Sequence, residues 1–238
     1  MTAIILQARI DSSRLPGKAL FPLADKPIIF RVMEALNNVS ADLRILACSE
    51  DSYSTFLPIA EEAGFRIFAG PKDDVLERYC QVIKKFSISR VIRATGDNPF
   101  VFADAAAAIN SDANAINADY AGYIDLPYGA GVESVSAAAL LLASAETNDS
   151  FDREHVCPYL YNHPELFKLH CPLAPILWHY PDIRLTVDTQ EDYDKAIELY
   201  NSLKKEPFRH QGSVIIKTYN KLFPDTSVMK IENPEVNN

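Results

Sequence analysis

No G-x-G-x-x-G stretch and no G-x-x-x-x-G-K-[S/T] stretch occurs in this chain of 238 residues, where glycine is scarce at eight. The first absence removes the common nicotinamide and flavin readings. The second removes the Walker-type phosphate loop, since Ala19 follows Lys18 where a Ser or Thr is required. No G-x-S-x-G elbow is present to present a serine nucleophile. The four cysteines (Cys48, Cys80, Cys157, Cys171) form no C-x-x-C pair and do not cluster with histidine. That usage excludes a disulfide framework and a zinc knuckle, and it predicts reduced thiols in a cytoplasmic protein. The apolar run Ala3 to Leu6 is too short for a signal h-region or a membrane span, so a soluble protein without membrane association is expected. Basic residues are also in deficit: 23 Lys and Arg face 32 Asp and Glu, a net charge of −9. A general nucleic-acid binder would carry a basic surface, and that partner class is excluded.

What is present suits one large α/β domain or such a domain with a small appendage. The chain is 48% hydrophobic with 12 Phe and 11 Tyr, enough for a sizeable core. Its first hundred residues alternate short apolar runs with helix-period stretches. Strands are predicted at Ile4–Leu6, Leu43–Cys48, Phe65–Phe68 and Ser89–Ala94. Helices are predicted after Pro27, over Tyr53–Ala63 before Gly64, and from about Asp74 to Phe86. Repeated β-α units with continuous apolar strands imply a parallel sheet covered on both faces, with ligands at the carboxyl ends of the strands.

Beyond Asp97 the pattern loosens. Helices are expected at Ala103–Ile109, Ala137–Ala145, Asp152–Tyr161 and Val214–Leu222, and over Gln190–Leu203 behind a Thr189 cap. Strands are expected at Tyr120–Ile124, Val132–Val135 and Phe167–Cys171, with Arg184–Val187 returning to the main sheet. Residues 1–203 form the expected domain. Residues 204–238 are an extension packed on it, with a frayed polar end from Asn233 to Asn238.

Residues 7–18 read Gln-Ala-Arg-Ile-Asp-Ser-Ser-Arg-Leu-Pro-Gly-Lys and follow the first strand directly. Arg9, Arg14 and Lys18, with Ser12 and Ser13 between them, place three cations and two hydroxyls at a strand end. That suits a polyphosphate, which needs charge neutralisation and many donors. Gly96-Asp97-Asn98-Pro99 follows the fourth strand. Arg184-Leu185-Thr186-Val187-Asp188-Thr189 repeats the arrangement of strand, aspartate and helix cap. Asp97 alone could be a turn residue and Asp188 alone a helix-flanking acid. Together they form a hard oxygen site suited to Mg²⁺, with triphosphate oxygens and water completing the octahedron.

These segments resemble the signatures of the sugar-activating cytidylyltransferases, and in wording they are most similar to the spore-coat-polysaccharide branch. Asp97 matches the family's Gly-Asp-x-Pro motif, and Asp188 matches its late Val-Asp-Thr motif with the acidic pair Glu191 and Asp192. Three further stretches fit that branch: Lys72 to Tyr79, Gly131 to Ser136, and Asp152 to Val156 running on to Pro158-Tyr159-Leu160. The resemblance covers residues 3 to about 200.

It implies a three-layer α/β/α fold of the nucleotide-diphospho-sugar transferase type, with a mixed, mostly parallel sheet. It also implies CTP as donor, Mg²⁺ on Asp97 and Asp188, and an acidic sugar or related acceptor, with a sugar phosphate, a polyol phosphate or a phosphonate as the alternatives and a homodimer compatible. On this resemblance Arg14 and Lys18 hold the β- and γ-phosphates, making them catalytic together with the two aspartates. Gln7, Ala8, Arg9, Ser12, Ser13 and Thr95 complete the nucleotide site. Thr95 stands where relatives carry a glutamine that helps read cytosine.

Arg78, Glu133, Arg153 and His155 are the acceptor-site candidates. Each also has an ordinary structural reading. Asp74 is an intrahelical partner for Arg78, Glu133 could be an edge-strand charge, and Arg153-Glu154-His155 could cross-link a helix through surface ion pairs. Two other functions fit part of this pattern: a nucleotide-sugar-dependent glycosyltransferase, for which a closely spaced Asp-x-Asp is missing, and a catalytically silent nucleotide-binding subunit of a glycan-assembly complex.

Overall fold

A computed structural model describes residues 1–11 and 14–224. Ser12, Ser13 and the polar end from Asn233 to Asn238 lie outside the described residues.

The apolar run after Met1 becomes strand β1 (Thr2–Ala8), flanked in the sheet by two parallel neighbours. Two-residue strands β2 (Pro22–Leu23) and β3 (Lys26–Pro27) form a small hairpin leading into helix α1 (Ile28–Leu36). β4 (Leu43–Ser49), α2 (Tyr53–Glu62), β5 (Arg66–Gly70), α3 (Val75–Phe86), β6 (Arg90–Thr95) and α4 (Ala103–Ile116) continue the alternation. Then come β7 (Tyr120–Ala121), β8 (Glu133–Ser136), α5 (Ala137–Glu146), α6 (Ser150–His155), α7 (Pro158–Asn162) and β9 (Leu169–His170), followed by α8 (Gln190–Leu203) and α9 (Gly212–Leu222).

Seven strands make one sheet in the order β5-β4-β1-β6-β8-β7-β9. Four pairings are parallel, while β8 runs antiparallel to both β6 and β7. The sheet is therefore mixed and mostly parallel, flanked by helices on both faces. Strict alternation along β1 explains the two layers. Ile4 and Leu6 pack with α1, α2, α4, α8 and α9, whereas Ala3 and Ile5 pack with α3, α5 and α7. Each fully buried Ile or Leu contributes roughly 1.5–3 kcal/mol, so strands apolar on both faces are held centrally. The last helix, α9, buries Ile215 and Ile216 in the same core as α8 and α4, and Ala103 N–H donates to His210 O at 2.8 Å.

Two expected elements take other forms. Residues 184–187 do not join the sheet. They run beside loops, linked by an isolated bridge between Tyr128 and Arg184 and by Val187 N–H donating to Asp97 O at 2.9 Å. The expected helix over 152–161 breaks into α6 and α7 at Val156, whose φ of 75° is left-handed. Among the described residues, no helix is long and apolar enough to cross a membrane. All four cysteines are free thiols; Cys48, Cys80 and Cys157 are buried and Cys171 is exposed.

Candidate active site

The carboxyl ends of β1 and β6 and the amino end of antiparallel β8 open onto one cavity of about 680 Å³. Its first wall is the loop after β1. Gly17 adopts φ 74°, which lets its N–H return to Ile10 O at 3.1 Å and starts a single 3-10 turn over Lys18–Leu20. That turn fixes the base of Lys18, whose side chain crosses to the opposite wall.

There Asp97, just past β6, and Asp188, just before α8, lie together. Lys18 Nζ donates to Asp97 Oδ2 at 2.8 Å and to Asp188 Oδ1 at 2.7 Å. Arg14 adds a contact to Asp188 Oδ1 at 3.0 Å, and Arg184 donates to Asp188 Oδ2 at 2.7 Å. Burial pushes the Asp188 carboxyl up, but Lys18 and Arg14, with Arg184, outweigh it and hold the group below its ordinary value. Asp188 is placed by backbone pairing. Its segment docks on residues 127–129 because Gly129, at φ 91°, carries no side chain; a Cβ there would come within 2.7 Å of Thr186 N. Thr189 and Asp192 then cap α8 reciprocally, and Asp192 also accepts from Asp188 N–H at 3.0 Å.

Two carboxylate oxygens bracketing one positive charge are a hard donor set of the kind Mg²⁺ takes. Among the described residues no group of three or more His, Cys, Asp or Glu could hold a metal by itself. An ion on Asp97 and Asp188 would therefore draw most of its shell from phosphate and water, which matches how Mg²⁺ is commonly bound.

The remaining sequence candidates separate into groups. Gln7, Ala8, Arg9 and Thr95 line the cavity with Arg14 and Lys18. Arg9 reaches across it to Glu154 Oε1 at 3.1 Å. Thr95 Oγ1 accepts from Asn98 Nδ2 at 2.8 Å, so its own proton is free to be donated elsewhere. Gln7 and Glu133 are tied together by Arg93. Its Nε donates to Gln7 Oε1 at 3.2 Å and its Nη1 pairs with Glu133 Oε2, while Tyr120 Oη donates to Glu133 Oε1 at 2.9 Å. His155 lines the cavity with its ring 4.3 Å from that of Phe151.

Arg78 touches the cavity but is only 2% exposed, and it donates to the carbonyls of Pro71, Ala47 and Lys72 at 3.0–3.3 Å. Asp74 is not its partner; it accepts from Glu77 N–H as the cap of α3. Arg153 stands apart from the other acceptor candidates: its guanidinium donates to Asp74, Ser144 and the carbonyl of Thr147, outside the cavity lining, with α6 packed on α3.

Arg93, Asn98, Tyr120 and Asp125 are cavity residues that the sequence reading missed. For Arg93 a signal existed. A charge within an apolar strand, two positions from Thr95, must share its face of the sheet.

A mixed sheet with a basic first loop, facing two aspartates from distant segments, defines an α/β protein with a cavity suited to an anionic ligand and a cation. The particular family follows from comparison: a cytidylyltransferase model matches residues 3–226, and the chain belongs to that family. It is thus a nucleotidyltransferase, which sets aside glycosyl transfer as its reaction class. Divalent metal use is typical of the family. The spore coat polysaccharide biosynthesis protein SpsF of Bacillus subtilis is 33% identical over 210 residues, covering 85% of this chain and 88% of that protein. A cytidylyltransferase structure from Leptospira borgpetersenii superposes with TM-score 0.84 at 23% identity, over 100% of this chain and 99% of that one. A CMP:2-keto-3-deoxy-manno-octonic acid synthetase solved with CTP gives TM-score 0.66 at 15% identity, over 84% and 98%.

Proposed function

We propose that the protein transfers the CMP group of CTP to a sugar or related small acceptor, with Mg²⁺, in the assembly of a surface polysaccharide. The observation that carries this reading is the Lys18 ammonium held between Asp97 and Asp188, with Arg14 beside it, at one end of the cavity. Resemblance to SpsF supports the polysaccharide context, and the CTP complex of the octonic acid synthetase supports the donor.

In this mechanism Arg14 and Lys18 bind the β- and γ-phosphates, and Arg9 and the backbone of Ala8 lie at the α-phosphate and base. Asp97 and Asp188 would hold Mg²⁺, which when bound neutralises phosphate oxygens as a Lewis acid. The acceptor oxygen attacks the α-phosphorus in line. The bond to the β-phosphate breaks with its electron pair leaving on pyrophosphate, and an acceptor hydroxyl gives up its proton to solvent water as the new bond forms. Charge therefore grows on the leaving group, where Arg14 and Lys18 stabilise it, so catalysis is mainly positioning and electrostatics.

Pyrophosphate release from CTP, UTP, ATP and GTP with a panel of acceptors tests the reading. CTP is expected to be preferred. A purine triphosphate as the best donor overturns the cytidylyl assignment and leaves nucleotidyl transfer standing.

A further inference from the structure

Gln7 and Thr95 are register partners across the parallel pair of β1 and β6, so their side chains leave the same face of the sheet at its carboxyl edge, and both line the cavity. Neighbouring strands lie about 4.8 Å apart, which sets the two polar groups side by side. Each has its acceptor side already taken. Asn98 Nδ2 donates to Thr95 Oγ1 at 2.8 Å, and Arg93 Nε donates to Gln7 Oε1 at 3.2 Å. What each turns to a ligand is therefore a proton: one O–H from Thr95 and the Nε2 hydrogens from Gln7.

The orientation of the Gln7 amide is set by chemistry. A guanidinium only donates, so the atom facing Arg93 is the carbonyl oxygen and Nε2 points away from it. Among the described residues Nε2 has no hydrogen-bond partner. The one buried side-chain nitrogen or oxygen left unpartnered there is Arg44 Nε, so Gln7 Nε2 is open to the cavity. Arg93 is itself immobilised. Its register partner Glu133 takes Nη1, and Tyr120 Oη donates to the other carboxylate oxygen at 2.9 Å. With its side chain 13% exposed, Arg93 is desolvated between Gln7 and Glu133, where hydrogen bonds are strong and hold their geometry.

Two neighbouring donors with no free acceptor discriminate between pyrimidines. Cytosine presents a carbonyl oxygen and a bare N3 side by side, both acceptors. Uracil presents the same carbonyl beside an N3–H, which meets a fixed donor. A free glutamine would turn its amide and accept from that N3–H; one clamped by Arg93 cannot.

We propose that Gln7 reads the N3 edge of the base beside Thr95, and that Arg93 is the positioning residue that makes Gln7 a donor only. The inference rests on the cytidylyltransfer reading, which places the base at the neighbouring Ala8 and Arg9, and it names how cytosine is chosen over uracil.

The test measures kcat/KM for CTP and UTP in the intact protein, with Mg²⁺ and one accepted acceptor. Gln7→Glu keeps the side-chain length and an oxygen for Arg93 but replaces the donor by an acceptor. The CTP/UTP ratio should fall by about tenfold or more. The added charge weakens both nucleotides alike and cancels in the ratio. Arg93→Leu combined with Glu133→Gln frees the amide to turn without orphaning a carboxylate, and should lower the ratio in the same direction. Should the double variant fail to fold, Gln7→Glu alone decides. An unchanged ratio in Gln7→Glu, or in a folded double variant, overturns the inference. So does a change confined to KM for the acceptor, which would place the amide on that substrate instead. A purine triphosphate as the best donor of the native protein would overturn the cytidylyltransfer reading itself, so the two failures are distinguishable.

Discussion

Lys18 Nζ and Asp188 Oδ1 stand 2.7 Å apart across 170 positions of sequence, with the carboxylate almost wholly buried. The pair ties the loop after β1 to the segment entering α8, and its ammonium occupies the place between Asp188 and Asp97 where a cation is stable. On the proposed function Lys18 would serve two partners, these carboxylates before nucleotide arrives and the leaving phosphates afterwards.

Replacing Lys18 by Ala should lower kcat by about 100-fold with a smaller effect on KM, because the charge it meets develops in the transition state. The same variant should bind Mn²⁺ more tightly than the native protein when no nucleotide is present, since the ammonium no longer competes for Asp97 and Asp188. Steady-state kinetics and Mn²⁺ titration by electron paramagnetic resonance read the two effects. A loss confined to KM would show uniform ground-state binding instead.

Asp97→Asn and Asp188→Asn should each reduce turnover by at least about 100-fold while the fold survives, because an amide lacks the anionic oxygen Mg²⁺ prefers. Asp188 adds a pH signature. Its folded-state carboxyl titrates below the ordinary value of about 3.9, so the unfolded state binds the proton more readily and stability rises with pH through that window. The contribution is complete above the unfolded value and is lost as pH falls through the folded one. The Tm difference between native protein and Asp188→Asn should be constant above about pH 5 and shrink below about pH 4. A gap independent of pH in thermal melts would refute the coupling.

On the proposed function Thr95 is expected to help set base selectivity; its hydroxyl is already an acceptor for Asn98 and has one proton to give. A cytosine ring offers a carbonyl and N3 as acceptors and an amine as donor, so one hydroxyl reads only part of it. CTP should be preferred over UTP by less than in relatives carrying glutamine here, and Thr95→Gln should widen the ratio. A missing hydrogen bond at a buried site costs about 1–3 kcal/mol, so the change should lie between about fivefold and 150-fold in relative kcat/KM.

Arg78 is expected to act on stability. Arg78→Leu leaves the carbonyls of Pro71, Ala47 and Lys72 without their donor in a buried site and should cost about 2–4 kcal/mol in denaturant unfolding. An unchanged unfolding midpoint together with a raised KM for nucleotide would return Arg78 to the binding site.

Most of the first hundred residues could be read directly. The apolar run at Ala3–Leu6, the helical spacing of Ile28, Val32 and Ala35, and the helix start near Asp74 are local signals, as is the Thr189 cap further along the chain. Backbone conformation and side-chain burial there follow from neighbours a few positions away. The same holds for the loop carrying Arg14 and Lys18 and for the turn at Gly96-Asp97, where residue types within a dozen positions specify the chemistry. Tertiary structure alone decided which charges meet. Residues 184–187 look like a sheet strand, yet they pair with the loops at Asp97 and Tyr128, and that sideways docking is what carries Asp188 to Lys18. Arg153 and Arg78 sit in matching motifs, yet Arg153 pairs with the Asp74 carboxylate and the Thr147 carbonyl while Arg78 is buried against three carbonyls. Arg93 reaches Glu133 only because β8 runs antiparallel to β6, with the two residues in register. A long, flexible cationic side chain has several acceptors within reach, and which of them is desolvated beside it depends on elements far away in sequence.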